Sequence, residues 1–519
     1  MKQTIRAAAW LAFSPLVLPV SPALAAAPEA SSHVLPAGID WRQGDVDAAF
    51  AQARASGKPL FLYWGAVWCP PCNQVKATIF NRQDFIDRTR QFIPVYLDGD
   101  SPGAQKLASR FKVRGYPTMI LFRPDGTEIT RLPGEVEGER YLRTLELGLA
   151  AARPVKALLA SALNGDALSA GDWQLLADYS WDTDQTQIIA DGQLAVTLQR
   201  LAAAVPGGES ATARRLALKA LVATASDDKA PAIDKDAARA GLRQVLADTK
   251  LTRDNFDVLA NNATEVTTYL TGPGAPRLEL IHDWNGALVR LQNDAGLSTT
   301  DRLTALYAEV ELARLSDPKG AISPALQDKV RRQTAEADRR TTNGYERQSV
   351  VSMAAHVLSQ SGQIAESDTL LLAELKRSHS AYYHMLSLAA NARSRGDKAA
   401  AVDWYQKAWE SSTGPATRLQ WGVGYVSGAI DLAPSEEARI EKAATRVVAE
   451  AGKTQNAFYE RSRRSLERLV GKLRTWNKDG SHRASVGRVQ AELSGVCGKL
   501  PASDAQKPVC DALASSLNG

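Results

Sequence analysis

Cysteine is scarce in this chain. The four among 519 residues fall into two close pairs, Cys69 with Cys72 and Cys497 with Cys510, a distribution that stray structural thiols do not follow. Aromatic residues are also few, at 7%, while alanine is frequent, which favours closely packed helices over a large β-sandwich. Neither sign of charge dominates: 62 basic against 57 acidic residues leave +5, too balanced for a nucleic-acid binder. Beyond the N-terminus no apolar run is long enough to span a bilayer. What remains is ordinary for a soluble globular protein, 45% hydrophobic and 23% charged, and excludes wholesale disorder. At roughly 150 residues per domain the length corresponds to about three domains, or to one domain and a repeat array.

Lys2 and Arg6 form a short basic segment, followed by an apolar stretch from Ala7 to Val20 that Pro15 and Pro19 interrupt. Ala23-Leu24-Ala25 then supplies the small-x-small pattern of a signal-peptidase site. The alternative, an uncleaved membrane anchor, needs ~20 apolar residues, and this stretch is shorter and carries helix-breaking prolines. The expectation is a signal peptide over 1–25 cleaved near Ala25, a flexible leader over 26–38, and an exported, periplasmic protein with no stable membrane insertion. Disulfides persist in such a compartment.

From Trp41 to about Ala152 short β-type runs alternate with helical ones, so 39–152 reads as one α/β domain. Asp45 to Ala55 has helical spacing, Pro59 to Trp64 (PLFLYW) is a buried-strand run, and a helix follows through Phe80. Phe92 to Leu97 (FIPVYL) is a second strand and Ala104 to Phe111 a short helix. Thr118 to Phe122 (TMILF) and Glu128 to Leu132 flank the turn Arg123-Pro124-Asp125-Gly126, and an amphipathic helix from Glu137 to Ala151 closes the block. Beyond Pro154 the strands disappear, and 153–519 reads as a large all-α, solenoid-like region of helical hairpins.

Within that region Gly362 and Gly396 lie 34 residues apart, the tetratricopeptide period. Ala355 and Ala389 keep a small residue seven positions before each glycine. Ala401, Tyr405 and Ala408 occupy the packing positions of a second helix, where the first copy has Ser367, Leu371 and Glu374. The spacing predicts tetratricopeptide-like stacking around 350–450, against the competing reading that alanine-rich hairpins imitate this period. For 155–345 only helices are expected.

The chemistry is concentrated in Trp68-Cys69-Pro70-Pro71-Cys72. Two thiols separated by two residues, after a buried strand and at the start of a helix, close a disulfide without moving the backbone. A helix N-terminus favours a thiolate at Cys69, and Pro70 suits the first turn because its missing N–H is little loss there. A lone CxxC is also half of a zinc site. Here no second CxxC and no nearby histidine completes four ligands, since His33 is in the leader and the next histidine is His282. No metal and no cofactor is therefore expected.

Downstream, Gly115-Tyr116-Pro117-Thr118 precedes the TMILF strand. With WCPPC and this proline each in its proper element, residues 40–150 resemble a thioredoxin-fold thiol–disulfide oxidoreductase, a mixed sheet flanked by helices. The resemblance covers about a fifth of the chain. It implies that Cys69 is the attacking thiolate and Cys72 the resolving thiol. It implies too that Trp68 shapes the apolar rim, and that Pro117 is a cis-proline that contacts the substrate disulfide and keeps metals off, with Tyr116 beside it in the substrate-binding loop. One position departs from the family: the buried aspartate that many thioredoxins carry six residues before the first cysteine is here Tyr63, which reads as core packing. The acidic loop Asp98-Gly99-Asp100 is a candidate replacement, but reads better as a solvated turn.

Weaker signals are read as structural. Gly422, Gly424 and Gly428 form GxGxxxG, which misses the dinucleotide spacing and follows no strand. The basic run Arg461, Arg463, Arg464, Arg468, Lys472 and Arg474, interleaved with Glu460 and Glu467, reads as a solvated helix face rather than an anion patch. The histidines receive no catalytic role. Cys497 and Cys510 flank a Pro501-containing loop between two helical runs, and antiparallel neighbours bring such positions within the ~5.5 Å that a structural disulfide needs.

Two functions compete. The first is an exported disulfide reductase or isomerase-like enzyme, with the helical region positioning a disulfide-containing protein substrate and a membrane-embedded thiol donor keeping the pair reduced. The reducing direction follows from Pro70 and Pro71, which offer no N–H to a Cys69 thiolate, and stabilised thiolates are what make the strong oxidants of this family oxidising. The second is a helical interaction protein carrying a redox-inert or redox-sensing module.

Overall fold

The computed structural model describes residues 35–134, 137–184, 186–207, 210–318 and 320–518. The expected signal peptide, and the leader up to residue 34, lie outside the described residues.

Five strands form one mixed sheet in the order β1-β3-β2-β4-β5: Arg42–Gln43 (β1), Leu60–Gly65 (β2), Ile93–Asp98 (β3), Thr118–Phe122 (β4) and Glu128–Leu132 (β5). β3 runs parallel to β1 and β2, while β4 is antiparallel to β2 and β5. Because β2 is central and covered on both faces, all six of its residues are buried, which is why its sequence is a continuous apolar run. Phe61 and Tyr63 join one core layer with Val75, Phe80, Phe85 and Tyr141. Leu60, Leu62 and Trp64 join the opposite layer with Phe50, Ala108 and Phe111. The helices Val46–Ser56 and Ala104–Phe111 cover this second face; the helices Pro70–Val75, Gln83–Arg88 and Gly138–Ala150 cover the first.

Sequence reasoning missed two small elements, the two-residue β1 and the Gln83–Arg88 helix. Each is too short to carry a periodic signal. The redox helix also changes pitch: an α-helix over Pro70–Val75 passes into a π-helical turn over Lys76–Phe80. Lys76, Ile79 and Phe80 are all buried in that wider turn.

From Val155 onward the described residues are helical apart from turns. In the expected repeat region Gly344–Gln360 pairs with Ile364–Glu374, and Ala381–Ser394 with Lys398–Ser411. The first hairpin turns at Gly362 (φ 89°) and the second at Gly396 (φ 77°), a left-handed backbone that suits glycine. In each, the next N–H closes on the carbonyl five residues back, Gln363 on Leu358 (2.9 Å) and Asp397 on Ala392 (3.0 Å). The GxGxxxG glycines lie within the helix Pro415–Leu432. A Cβ at Gly422 would collide with Val447 and Trp409, and one at Gly428 with Tyr405, so two of these glycines permit close helix packing.

A buried ion pair and a buried hydrogen bond tie the sheet and its helices to the helical region. Arg140 meets Asp178 at 2.7 Å, and the fully buried Arg131 donates to the Thr183 carbonyl oxygen at 2.8 Å. Near the C-terminus Cys497 and Cys510 are disulfide-bonded, with Cα atoms 5.5 Å apart, linking the helices Arg483–Gly498 and Lys507–Ser515. Both sulfur-bearing residues sit in the last apolar core. Peptide mapping of the unreduced protein should recover the 497–510 link. Cys510→Ser should lower unfolding free energy by about 3 kcal/mol, the loop-closure contribution for a crosslink of this span; an unchanged denaturation midpoint would show that the bond does not stabilise the terminus.

Candidate functional site

The parallel pairing of β2 with β3 and the antiparallel pairing of β2 with β4 bring three loops to one edge of the sheet. Gly65 pairs with Asp98, and Trp64 with Thr118. The loop after β2 carries the redox motif, the loop after β3 carries Asp98-Gly99-Asp100, and the loop before β4 carries Tyr116-Pro117, whose peptide bond is cis. Cys69 is the N-cap of the redox helix and is disulfide-bonded to Cys72, their Cα atoms 5.2 Å apart. The Cys72 N–H donates to Cys69 Sγ at 3.2 Å, a donor that neither Pro70 nor Pro71 can provide. The Asn73 side-chain amide fastens the turn from behind, donating to the carbonyl oxygens of Val67 (2.7 Å) and Cys69 (2.9 Å).

Beneath the turn lies a cluster of titratable groups where a single carboxylate was looked for. Tyr63 is fully buried, and its hydroxyl donates to the Cys72 carbonyl oxygen at 3.4 Å. Burial, then the nearby Asp98 charge, pushes the Tyr63 phenol well up, so it stays protonated. Lys76, 1% exposed, lies over the rings of Tyr96 (5.5 Å) and Tyr345 (5.3 Å). Burial lowers its ammonium to about 8, with Asp98 acting the other way. Asp98 is half-buried; burial raises its carboxyl, as does Asp100, and it accepts hydrogen bonds from Tyr96 (3.2 Å) and the Asp100 N–H (2.9 Å). The acidic loop is therefore not the solvated turn that its composition suggested. Asp98 faces the buried polar cluster, and Asp100 receives hydrogen bonds from Thr417 N–H (2.7 Å) and Oγ1 (2.5 Å).

The helical region is seated on the redox turn. Trp68 Nε1 donates to Thr417 Oγ1 at 2.8 Å, and its indole stacks on Tyr383 (5.7 Å between centroids, 17°) and meets Trp421 edge-on (4.9 Å). Gln348 donates to the Trp68 carbonyl oxygen (3.1 Å), and His379 Nε2 lies 3.3 Å from that of Val67. Gln74 donates to Asp301 (2.6 Å). Arg461 corrects the reading of the basic run. Arg463 and Arg464 form ordinary helix-face pairs with Glu467 and Glu460, but Arg461 is 8% exposed, its guanidinium 5.0 Å from the Trp68 ring and 5.5 Å from that of Tyr116. Its main-chain N–H donates to Gln105, which in turn donates to Tyr116 Oη (3.3 Å). Under this cover Cys69 is 2% exposed and Cys72 is not exposed at all. Pro117 is buried, and Tyr116 and Trp68 are half-buried.

Sequence reasoning named Cys69, Cys72, Trp68, Tyr116 and Pro117, and the structure brings all five together. It missed Lys76 and His379, and it named Asp98 and Arg461 but read both as solvated. A lysine in an otherwise apolar helix face was the one signal available, at Lys76. No cluster of histidine, cysteine or acidic residues suited to a metal occurs among the described residues. None of their helices is long and apolar enough to cross a membrane.

The fold and site define a thioredoxin-like domain, and residues 46–148 match the family of that description. The chain is also similar to the thiol:disulfide interchange protein DsbD of Pseudomonas fluorescens, 31% identical over 103 residues that make up 19% of this chain and 18% of the relative. It is likewise similar to thiol:disulfide interchange protein DsbD 1 of Pseudomonas aeruginosa, 34% identical over 101 residues, 18% of this chain and 16% of the relative. The chain thus spans less than a fifth of the length of these curated relatives. A solved thioredoxin from Thermus thermophilus is 26% identical, with a TM-score of 0.20, the match covering 21% of this chain and 86% of that one.

The depressed Lys76 makes stability depend on pH. Between about pH 8 and the ordinary 10.5 the unfolded chain holds a proton that the folded protein has lost, so stability from this group rises with pH across that window. Below it the burial penalty is fully present, about 3 kcal/mol. Lys76→Met should therefore stabilise the protein at pH 7, and its advantage over the parent should shrink as pH passes from 8 to 10.5. Urea denaturation across that range checks this, and a pH-independent difference would contradict it.

Proposed function

We propose that this protein is an exported thiol–disulfide oxidoreductase acting through Cys69 and Cys72, with the helical region holding a disulfide-containing polypeptide against the pair. The observation that carries the reading is the joint placement of the Cys69–Cys72 disulfide and the cis Tyr116–Pro117 bond at one sheet edge. The DsbD names of the relatives point the same way for the matched segment. In this reading the Cys69 thiolate attacks a substrate disulfide, a mixed disulfide forms, and Cys72 then displaces the bound sulfur as the internal disulfide closes. Trp68, Tyr116 and Pro117 form the rim on which the substrate lies. The hairpins closing at Gly362 and Gly396 act as tetratricopeptide-like modules, the site of action is the periplasm, and a membrane-embedded thiol donor returns the pair to the dithiol.

The direction is reductive or isomerase-like. The Cys72 N–H is the main-chain donor on Cys69 Sγ, and the two prolines add none. The potential should accordingly lie nearer the about −270 mV of thioredoxin than the about −120 mV of the strongest oxidant.

A second reading has one observation in its favour. With Cys69 at 2% exposure under the helices, the module could serve as a redox-sensing element of an interaction protein. Single-cysteine variants separate the two. Cys69→Ser should abolish exchange, and Cys72→Ser should accumulate mixed disulfides visible on non-reducing gels; equal trapping by both variants would refute the assigned roles. Equilibrating the full chain with glutathione buffers measures the potential. A value above about −180 mV, that of protein disulfide isomerase, would place the protein with the oxidases.

A further inference from the structure

The loop after β3 supplies the helical region with something that region lacks. The helix Pro415–Leu432 begins at Gly414, which has no side chain to meet the unpaired N–H groups of the first turn. Asp100 takes that place from the thioredoxin-like domain. Its carboxylate accepts hydrogen bonds from the Thr417 N–H (2.7 Å, on Oδ1) and the Thr417 hydroxyl (2.5 Å, on Oδ2). This is the chemistry of an N-cap, with a negative charge set against the positive end of an 18-residue helix. The approach is close. A Cβ on Gly414 would stand 2.5 Å from Asp100 Cγ, and the backbone there has φ 85°. The residue that leaves the helix without a cap of its own is thus also the one that lets Asp100 in.

The cover over the redox turn hangs from this contact. Because the Thr417 hydroxyl gives its proton to Asp100, its oxygen is left to accept, and it accepts from Trp68 Nε1 (2.8 Å) and Arg461 Nη2 (3.2 Å). Those two side chains carry the rest. The Trp68 ring meets Tyr383 and Trp421, and the Arg461 guanidinium lies over Trp68 and Tyr116. Cys69, next to Trp68 in the chain, is left 2% exposed.

The cover is also incompletely satisfied. Arg461 is buried; its Nε donates to Gln420, while Nη1 has no partner among the described residues. Without Thr417 as an acceptor, Nη2 would join Nη1 as an unpaired donor beneath the helices. Burying a guanidinium in that state is strongly unfavourable, so the seat holds only while the Thr417 hydroxyl is correctly oriented.

We propose that Asp100 is a latch, a positioning residue that caps the helix Pro415–Leu432 from outside and thereby decides which reactants reach Cys69. With the cap made, the pair is closed to any reactant with bulk behind its reacting atom, and small reagents enter only through brief local openings. With the cap broken, the start of the helix lifts from the Trp68–Tyr116 rim and takes the Trp68–Trp421 and Trp68–Thr417 contacts with it. Access control of this kind operates whether the pair exchanges disulfides or senses them.

The test measures access without requiring exchange. The full chain is reduced with dithiothreitol, desalted, and treated either with iodoacetamide or with a long-chain polyethylene glycol maleimide. Modification of Cys69 is followed by peptide mass spectrometry. In the parent, iodoacetamide should modify Cys69 and the polymer reagent should lag far behind. Asp100→Ala should speed the polymer reagent about tenfold relative to iodoacetamide, the scale of a lost charged cap. Asp100→Asn, which keeps an acceptor but loses the charge, should fall between. Combining Asp100→Ala with Thr417→Val should add little beyond the faster single variant, because both remove one contact. Hydrogen exchange on the same variants should leave the amides of Leu60–Gly65 as protected as in the parent, which separates opening of the seat from unfolding of the sheet. A polymer rate unchanged in Asp100→Ala, rates that multiply in the double variant, or protection lost across β2 overturns the latch. Failure of the parent to exchange with any disulfide would bear on the exchange reading alone and leave these rates as they are.

Discussion

The indole of Trp68 is the joint on which the arrangement depends. It belongs to the redox turn, yet its hydrogen-bond acceptor, its stacking partner and its edge-on partner all come from helices more than 300 residues downstream. A tryptophan ring buries a large apolar area while its single N–H still needs a partner, and Thr417 meets that need. Thr417 is shared: it donates to Asp100 through both main chain and side chain and accepts from Arg461. One buried threonine thus connects the turn after β2, the loop after β3 and the helix Glu460–Trp476. Desolvating so many polar groups is tolerable because nearly all of them find a partner there, Arg461 Nη1 being an exception.

The same seat explains why the site's electrostatics differ from a lone buried carboxylate. Covering the sheet edge removes water from Asp98, Lys76 and Tyr63 together, and each moves towards its neutral form. Lys76 is lowered to about 8 and Asp98 is raised, so the charged form of each lies closer in free energy to its neutral form than it would at an exposed position.

How much was legible in the sequence follows from the range of each interaction. Apart from β1 and the Gln83–Arg88 helix, the strands and helices up to Ala150 were readable because period-two and period-3.6 patterns are local, and the redox motif because its geometry is set within five residues. Gly362 and Gly396 were readable as turns for the same reason. The local pattern around Arg461 is that of a surface helix, and its neighbours Arg463 and Arg464 obey it. What makes Arg461 different is Trp68 and Tyr116, hundreds of positions away. Asp98 likewise sits in a loop whose composition is that of a solvated turn, and only the π-helical turn that carries Lys76 inward shows where its carboxylate points. Composition reports average environment, and these residues depart from the average through contacts that no local window contains.

The 349-residue separation between Trp68 and Thr417 also bears on the order in which the protein assembles. Closing a loop carries an entropy cost that grows with the logarithm of its length, and long-range contacts form slowly for that reason. The sheet, with its parallel and antiparallel neighbours all within the first third of the chain, can form while the helices that will cover it are still being laid down. During that interval the two cysteines meet solvent and whatever oxidants or thiols it holds. The finished protein covers a pair of cysteines that the growing chain exposes, so the arrival of the helices decides which reactants can reach the pair thereafter.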